Sequence, residues 1–186
     1  MKIHFTDFFE VAPATLDAYG AFNVSLINDL PLFIDPFLLF GSSNPEYQRQ
    51  HQEIVKYLTF LRDRALEGSI TKGDLESWYG FSEVKQNWLG FCKQGNAGQG
   101  LGPKFGRSMS ASITVVYDDL GKEIIPTSSH LEKVGLFQMG VGKDNISDFT
   151  TNLIKDFLLT YTQSFAQAHL APQFVRNCTV DKAYFD

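Results

Sequence analysis

The sequence predicts an α/β or α+β fold, with one mixed sheet of about four to five strands and two long amphipathic helices at about 45–66 and 147–169. Three observations predict it. Two segments repeat apolar residues at helical spacing behind an N-cap signal, and several short runs read as strands. The composition, 44% apolar and 20% charged over 186 residues, is that of a single folded domain spanning 1–186. Phenylalanine occurs 17 times, and each buried ring removes about 150–250 Å² from water. A sizeable core is within reach.

Taken in order, residues 1–11 carry Phe5, Phe8 and Phe9 and read as a lead-in strand or short helix. Pro13 opens a helix to Tyr19, which Gly20 ends. Ala21–Ile27 reads as a strand with Phe22, Val24 and Leu26 on one face. Leu30–Phe40 reads as a buried strand followed by an irregular buried elbow, because Pro36 removes a ladder donor and keeps Asp35 extended. Asn44-Pro45 starts the first long helix, whose apolar face is Ile54, Leu58, Leu61 and Ala65. A short helix follows over Thr71–Tyr79. Gly102-Pro103 opens another, with Phe105, Met109, Ile113 and Val116 at helical spacing, and a strand over Ser112–Tyr117 is the rival reading. His130–Met139 reads as a core strand. Ser147 is the expected N-cap of the second long helix, whose wide face of Phe149, Leu153, Ile154, Phe157, Leu158, Tyr161 and Phe165 implies packing on two sides. Thr179–Phe185 is the expected last strand.

A net charge of −5 argues against a surface coated for sequence-blind nucleic-acid binding. The two cysteines, Cys92 and Cys178, are too few for a disulfide framework or a cysteine-based zinc site, which suits a reducing cytoplasm. The longest apolar run, Leu30–Phe40, is broken by Pro31, Asp35 and Pro36 and is too short to span a bilayer, so no membrane role is expected.

Chemistry concentrates in a few places. Asp35 lies inside an apolar run, where a charged carboxylate needs amides, a cation or a metal, and its plainer role is to brace the turn before Pro36. Glu83-Val84-Lys85 matches the Glu-x-Lys of certain metal-dependent nucleases, with Asp74 upstream, but lacks the apolar strand that motif needs. Lys85, Lys93, Lys104 and Arg107 fall in a stretch that also holds Gly95, Gly98, Gly100, Gly102 and Gly106 and no acidic residue. Glycine lets backbone amides approach an anion, which makes these four the phosphate-binding candidates. Between Gly140 and Thr151, Asp144 and Asp148 flank a helix start, with Asn152 four residues further on. Two carboxylates and an amide oxygen suit Mg²⁺ or Mn²⁺, while Asp148 near a helix start also satisfies the helix dipole without any metal. His130 and Glu132 share one side of their strand, and Lys133 and Lys143 are near the acidic residues in sequence.

Three stretches, Gly20-Ala21-Phe22-Asn23 through Phe40, Val84–Gly90 with Gly95-Asn96 and Gly100-Leu101-Gly102, and Gly142-Lys143-Asp144 through Thr162, resemble segments of uncharacterised bacterial proteins found in phage-defence gene neighbourhoods. The resemblance covers most of the chain. It implies a component of a defence system, either a short version or an N-terminal part of a longer protein, and carries no catalytic residue with it.

Two functions follow as expectations. The first is a metal-dependent nuclease or phosphoryl-transfer domain, with Asp35, Asp144, Asp148 and Glu132 catalytic, Asp144, Asp148 and Asn152 on the metal, and the four basic residues on phosphate. The second is a non-catalytic module of a defence complex that recognises a protein partner or nucleic acid.

Overall fold

Local capping chemistry decides where the helices begin. The computed structural model describes residues 4–28, 30, 32–82, 84, 101–117, 133 and 141–180, and they form two compact units, each discontinuous in sequence.

The first unit comprises residues 4–28, 30, 32 and 155–180. Helix α1 (Phe5–Phe9) starts where the His4 amide donates to Asp7 Oδ2 at 3.3 Å, and ends at Glu10, which adopts a left-handed φ of 57°. Helix α2 (Pro13–Tyr19) ends at Gly20, whose φ of 79° suits a residue without a Cβ. Val11, Leu16 and Phe165 make the buried centre, with Phe5, Phe9, Tyr19, Ala21 and Leu170 packed against it. Tyr19 and Tyr161 lock together: each hydroxyl donates to the other's backbone carbonyl, at 2.7 and 2.9 Å.

The second unit comprises residues 33–82, 84, 101–117, 133 and 141–154. Helix α3 (Pro36–Gly41) is followed by α4 (Pro45–Leu66), where the Asn44 side chain accepts from Glu46 N at 2.9 Å and Pro45 takes the first helical position. Helix α5 (Lys72–Trp78) is capped by Thr71, and α6 (Pro103–Val116) begins after Gly102. Helix α7 (Lys143–Leu153) completes this unit, and α8 (Lys155–His169), followed by a 3₁₀ turn at Pro172–Phe174, belongs to the first. Helix α4 packs against α3, α6 and α7, and α5 packs against α6. The buried centre is Ile54, Leu58 and Leu61 of α4, Phe105, Met109 and Ile113 of α6, and Tyr79, Phe81, Tyr117 and Phe149. Both expected apolar faces of α4 and α6 are the buried ones, with Ala65 and Val116 half-buried at their ends. Tyr79 donates to Leu61 O at 2.6 Å, and its backbone leaves no room beyond Gly106, where a Cβ would stand 2.9 Å from Tyr79 O.

The expected mixed sheet is absent among the described residues. The described residues are mostly helical, and their β pairing is confined to two isolated antiparallel bridges, His4 with Ser25 and Phe81 with Leu101. Over Ala21–Ile27 only Ser25 pairs as a strand residue would; the Asn23 side chain instead takes the Thr6 amide at 3.1 Å and donates to the Thr6 hydroxyl at 2.9 Å, and Phe22 is 61% exposed. Leu32–Asp35 has no regular secondary structure, although Asp35 itself is extended, and Pro36–Gly41, expected to be an irregular elbow, is α3. Ser112–Tyr117 carries α6 to its end, so the strand rival fails there. The expected strand His130–Met139 lies outside the described residues save Lys133, and Thr179-Val180 is irregular with the rest of the expected last strand outside them.

The second long helix, expected over 147–169, is two helices. It starts four residues early, because Asn145 Oδ1 accepts the Gly142 amide at 3.1 Å and Ser147 lies inside α7 rather than at its cap. It breaks at Ile154 (φ −108°, ψ 21°). Thr150, Thr151 and Asn152 donate in succession to the carbonyls of Ile146, Ser147 and Asp148 at 2.7, 2.7 and 2.8 Å, and such back-bonding bends and weakens a helix. No helix of the described residues is long and apolar enough to cross a membrane.

Candidate functional site

The acidic candidates meet the structure unequally. Asp35 is the N-cap of α3: its Oδ1 accepts from Phe37 N at 2.9 Å, and the residue is exposed rather than buried in an apolar run. The bracing role is the one it performs. Asp144 is exposed in the first turn of α7, where a carboxylate complements the helix dipole, and Asp148 is half-buried one turn on. Asn152, one further turn along, is buried, and its Nδ2 donates to Ser82 O at 2.7 Å and Asp148 O at 2.8 Å. Its Oδ1 alone is left for a metal. Asp144, Asp148 and Asn152 thus share one helical face through their spacing of four, but among the described residues no group of three His, Cys, Asp or Glu side chains is placed to hold a metal ion. Glu132 and His130 lie outside the described residues.

Of the four phosphate candidates, Lys85 and Lys93 lie outside the described residues. Lys104 and Arg107 are exposed on the first two turns of α6, which no side chain caps, and neither makes an ion pair with a described residue. Lys143 is exposed at the start of α7. Lys133 sits with its ammonium 5.9 Å from the centre of the Tyr117 ring. Of the Glu-x-Lys candidate, Glu83 and Lys85 fall outside the described residues, and Asp74 is spent on its own helix: its Oδ2 accepts the Thr71 amide and hydroxyl, both at 2.8 Å. Those two bonds, the backbone one first, hold its carboxyl below the usual aspartate range. His51 is buried in α4 with its ring 5.2 Å from Phe40, a packing position.

The feature the sequence did not reveal lies at the entrance to α3. The Ser147 hydroxyl accepts the Ile34 amide at 2.9 Å, which ties down the approach to α3, and Asp35 then caps the helix. With Pro36 and Leu39 buried and Ile34 half-buried, the residues between them turn outward. Phe33 is 42% exposed, Phe37 49% and Leu38 67%. The signal for this was available only as an apolar run too rich in large side chains to hide all of them. From Phe33 to Asn44 the one charged residue is Asp35, and its carboxylate is turned back onto the Phe37 amide.

A family model described as a domain of unknown function matches residues 10–186 of the chain. No curated protein and no solved structure matches it.

Proposed function

Since the chain belongs to the DUF8370 family, a domain of unknown function, over residues 10–186, we propose its role from its own geometry: a non-catalytic binding module that docks an apolar surface of a protein partner within a bacterial phage-defence complex in the cytoplasm. The observation that carries this reading is the exposure of Phe33, Phe37 and Leu38 on a stretch whose single carboxylate is occupied by its own helix. Large apolar side chains grouped in solvent mark an interaction surface more often than an accident. From Phe33 to Asn44 there is no cation and a single carboxylate, Asp35, which favours an apolar protein surface over a phosphate backbone as the complement. The defence setting rests on the resemblance of the three sequence stretches named above, and the cytoplasmic one on the two isolated cysteines.

The rival is a nuclease or phosphoryl-transfer domain using Mg²⁺ or Mn²⁺ on Asp144 and Asp148, with phosphate held by Lys104 and Arg107. It has less support, because Asp35 is a helix cap and the Asn152 amide group is committed to two carbonyls.

The test is to capture partners from the native host, rebuild the complex from purified components, and compare the wild type with a Phe37→Ser/Leu38→Ser double variant. The expected result is a stoichiometric complex that the variant fails to form. A complex indifferent to the substitutions would remove the proposal. So would cleavage of plasmid, single-stranded DNA or RNA that needs Mg²⁺ or Mn²⁺ and is abolished by a chelator and by Asp144→Asn.

A further inference from the structure

We draw no further inference here: the strongest candidate, the shallow cleft of about 430 Å³ that Ala14, Thr15, Ala18, Tyr19 and His169 line in the first unit, is an open and mostly apolar face, and nothing in the structure shows what covers it.

Discussion

The Ser147 hydroxyl holds the Ile34 backbone amide at 2.9 Å across 113 residues of sequence. A backbone donor that in a sheet would find a neighbouring strand finds a helix side chain instead. Through this bond the interior of α7 sets the approach to α3, and with it the outward presentation of Phe33, Phe37 and Leu38.

Ser147→Ala removes the acceptor and leaves the Ile34 N–H without its partner beside a buried position. Such a loss costs about 1–3 kcal/mol. Hydrogen exchange at the Ile34 amide is expected to accelerate strongly in the variant, while amides in the middle of α4 change only in step with global stability. Unchanged protection at Ile34 would show that the bond does not hold the segment.

Two glycines in helices make opposite predictions. At Gly106 a Cβ would meet Tyr79 O at 2.9 Å and Tyr79 Cβ at 3.3 Å, and the backbone oxygen has no rotamer to escape into. Gly106→Ala is expected to destabilise by about 1–3 kcal/mol, as overpacking does. At Gly73 the added atom meets the Thr71 Oγ1 at an ordinary 3.7 Å. Gly73→Ala is expected to stabilise by about 0.5–1 kcal/mol through helix propensity. Denaturant midpoints of the two variants on either side of the wild type would bear this out, and a Gly106→Ala midpoint at or above that of the wild type would refute the close packing at Gly106.

How much of this was legible in the sequence follows from how local each cause is. Asn44-Pro45 and Pro13 to Gly20 announce their helices because cap and chain are adjacent, and both starts fall where expected. The apolar faces of α4 and α6 were legible for the same reason, since helical spacing alone selects Ile54, Leu58 and Leu61, or Phe105, Met109 and Ile113. Ala21–Ile27 and Leu32–Asp35 have strand composition but no strand partner: the first meets α1 through one isolated bridge and through the Asn23 side chain, which takes the Thr6 amide, and the Ile34 amide of the second is taken by the Ser147 hydroxyl. A side-chain acceptor distant in sequence leaves no local pattern. The break at Ile154 leaves no mark in the sequence, because the apolar stripe runs on unchanged through it. At the candidate site, the capping role of Asp35 was legible beside Pro36, but nothing in an apolar run says which of its members face out.

Alkaline pH is expected to weaken the second unit through Tyr79. Burial pushes its phenol from 10.0 up to about 12, so folding favours the neutral form. The contribution is complete below pH 10, where both states are neutral, and is lost as pH rises from 10 through about 12 while the unfolded chain ionises first. The part at stake is on the order of 3 kcal/mol at most. The measurement is the unfolding free energy from pH 9 to 12 for the wild type and Tyr79→Phe, and the variant is expected to lose this part of the decline.

Acid acts on Asp74 in the opposite sense. The Thr71 backbone bond and then its hydroxyl hold the folded carboxyl below its usual range, so the stabilisation is present above the unfolded pKa of about 4 and disappears as pH falls through the lower folded value. Asp74→Asn should flatten that acid decline and speed exchange of the Thr71 amide at neutral pH. If Thr71 exchanges equally in both proteins, the cap does not hold α5.

Neighbouring leucines separate the proposed docking role from folding. Leu39 is 7% exposed and Leu38 67%. Leu39→Ser removes a buried side chain where α3 packs on α4 and is expected to cost about 2–5 kcal/mol. Leu38→Ser lies on the exposed side and should change stability by no more than about 0.5 kcal/mol. Against a reconstituted partner, Leu38→Ser is expected to weaken binding by about tenfold or more, because an apolar anchor at an interface centre contributes on the order of 1–2 kcal/mol or more when truncated. Thermal melts and titration calorimetry on the same preparations read the two effects independently. Binding unchanged by Leu38→Ser, with stability intact, would mean that the exposed side of α3 faces no partner.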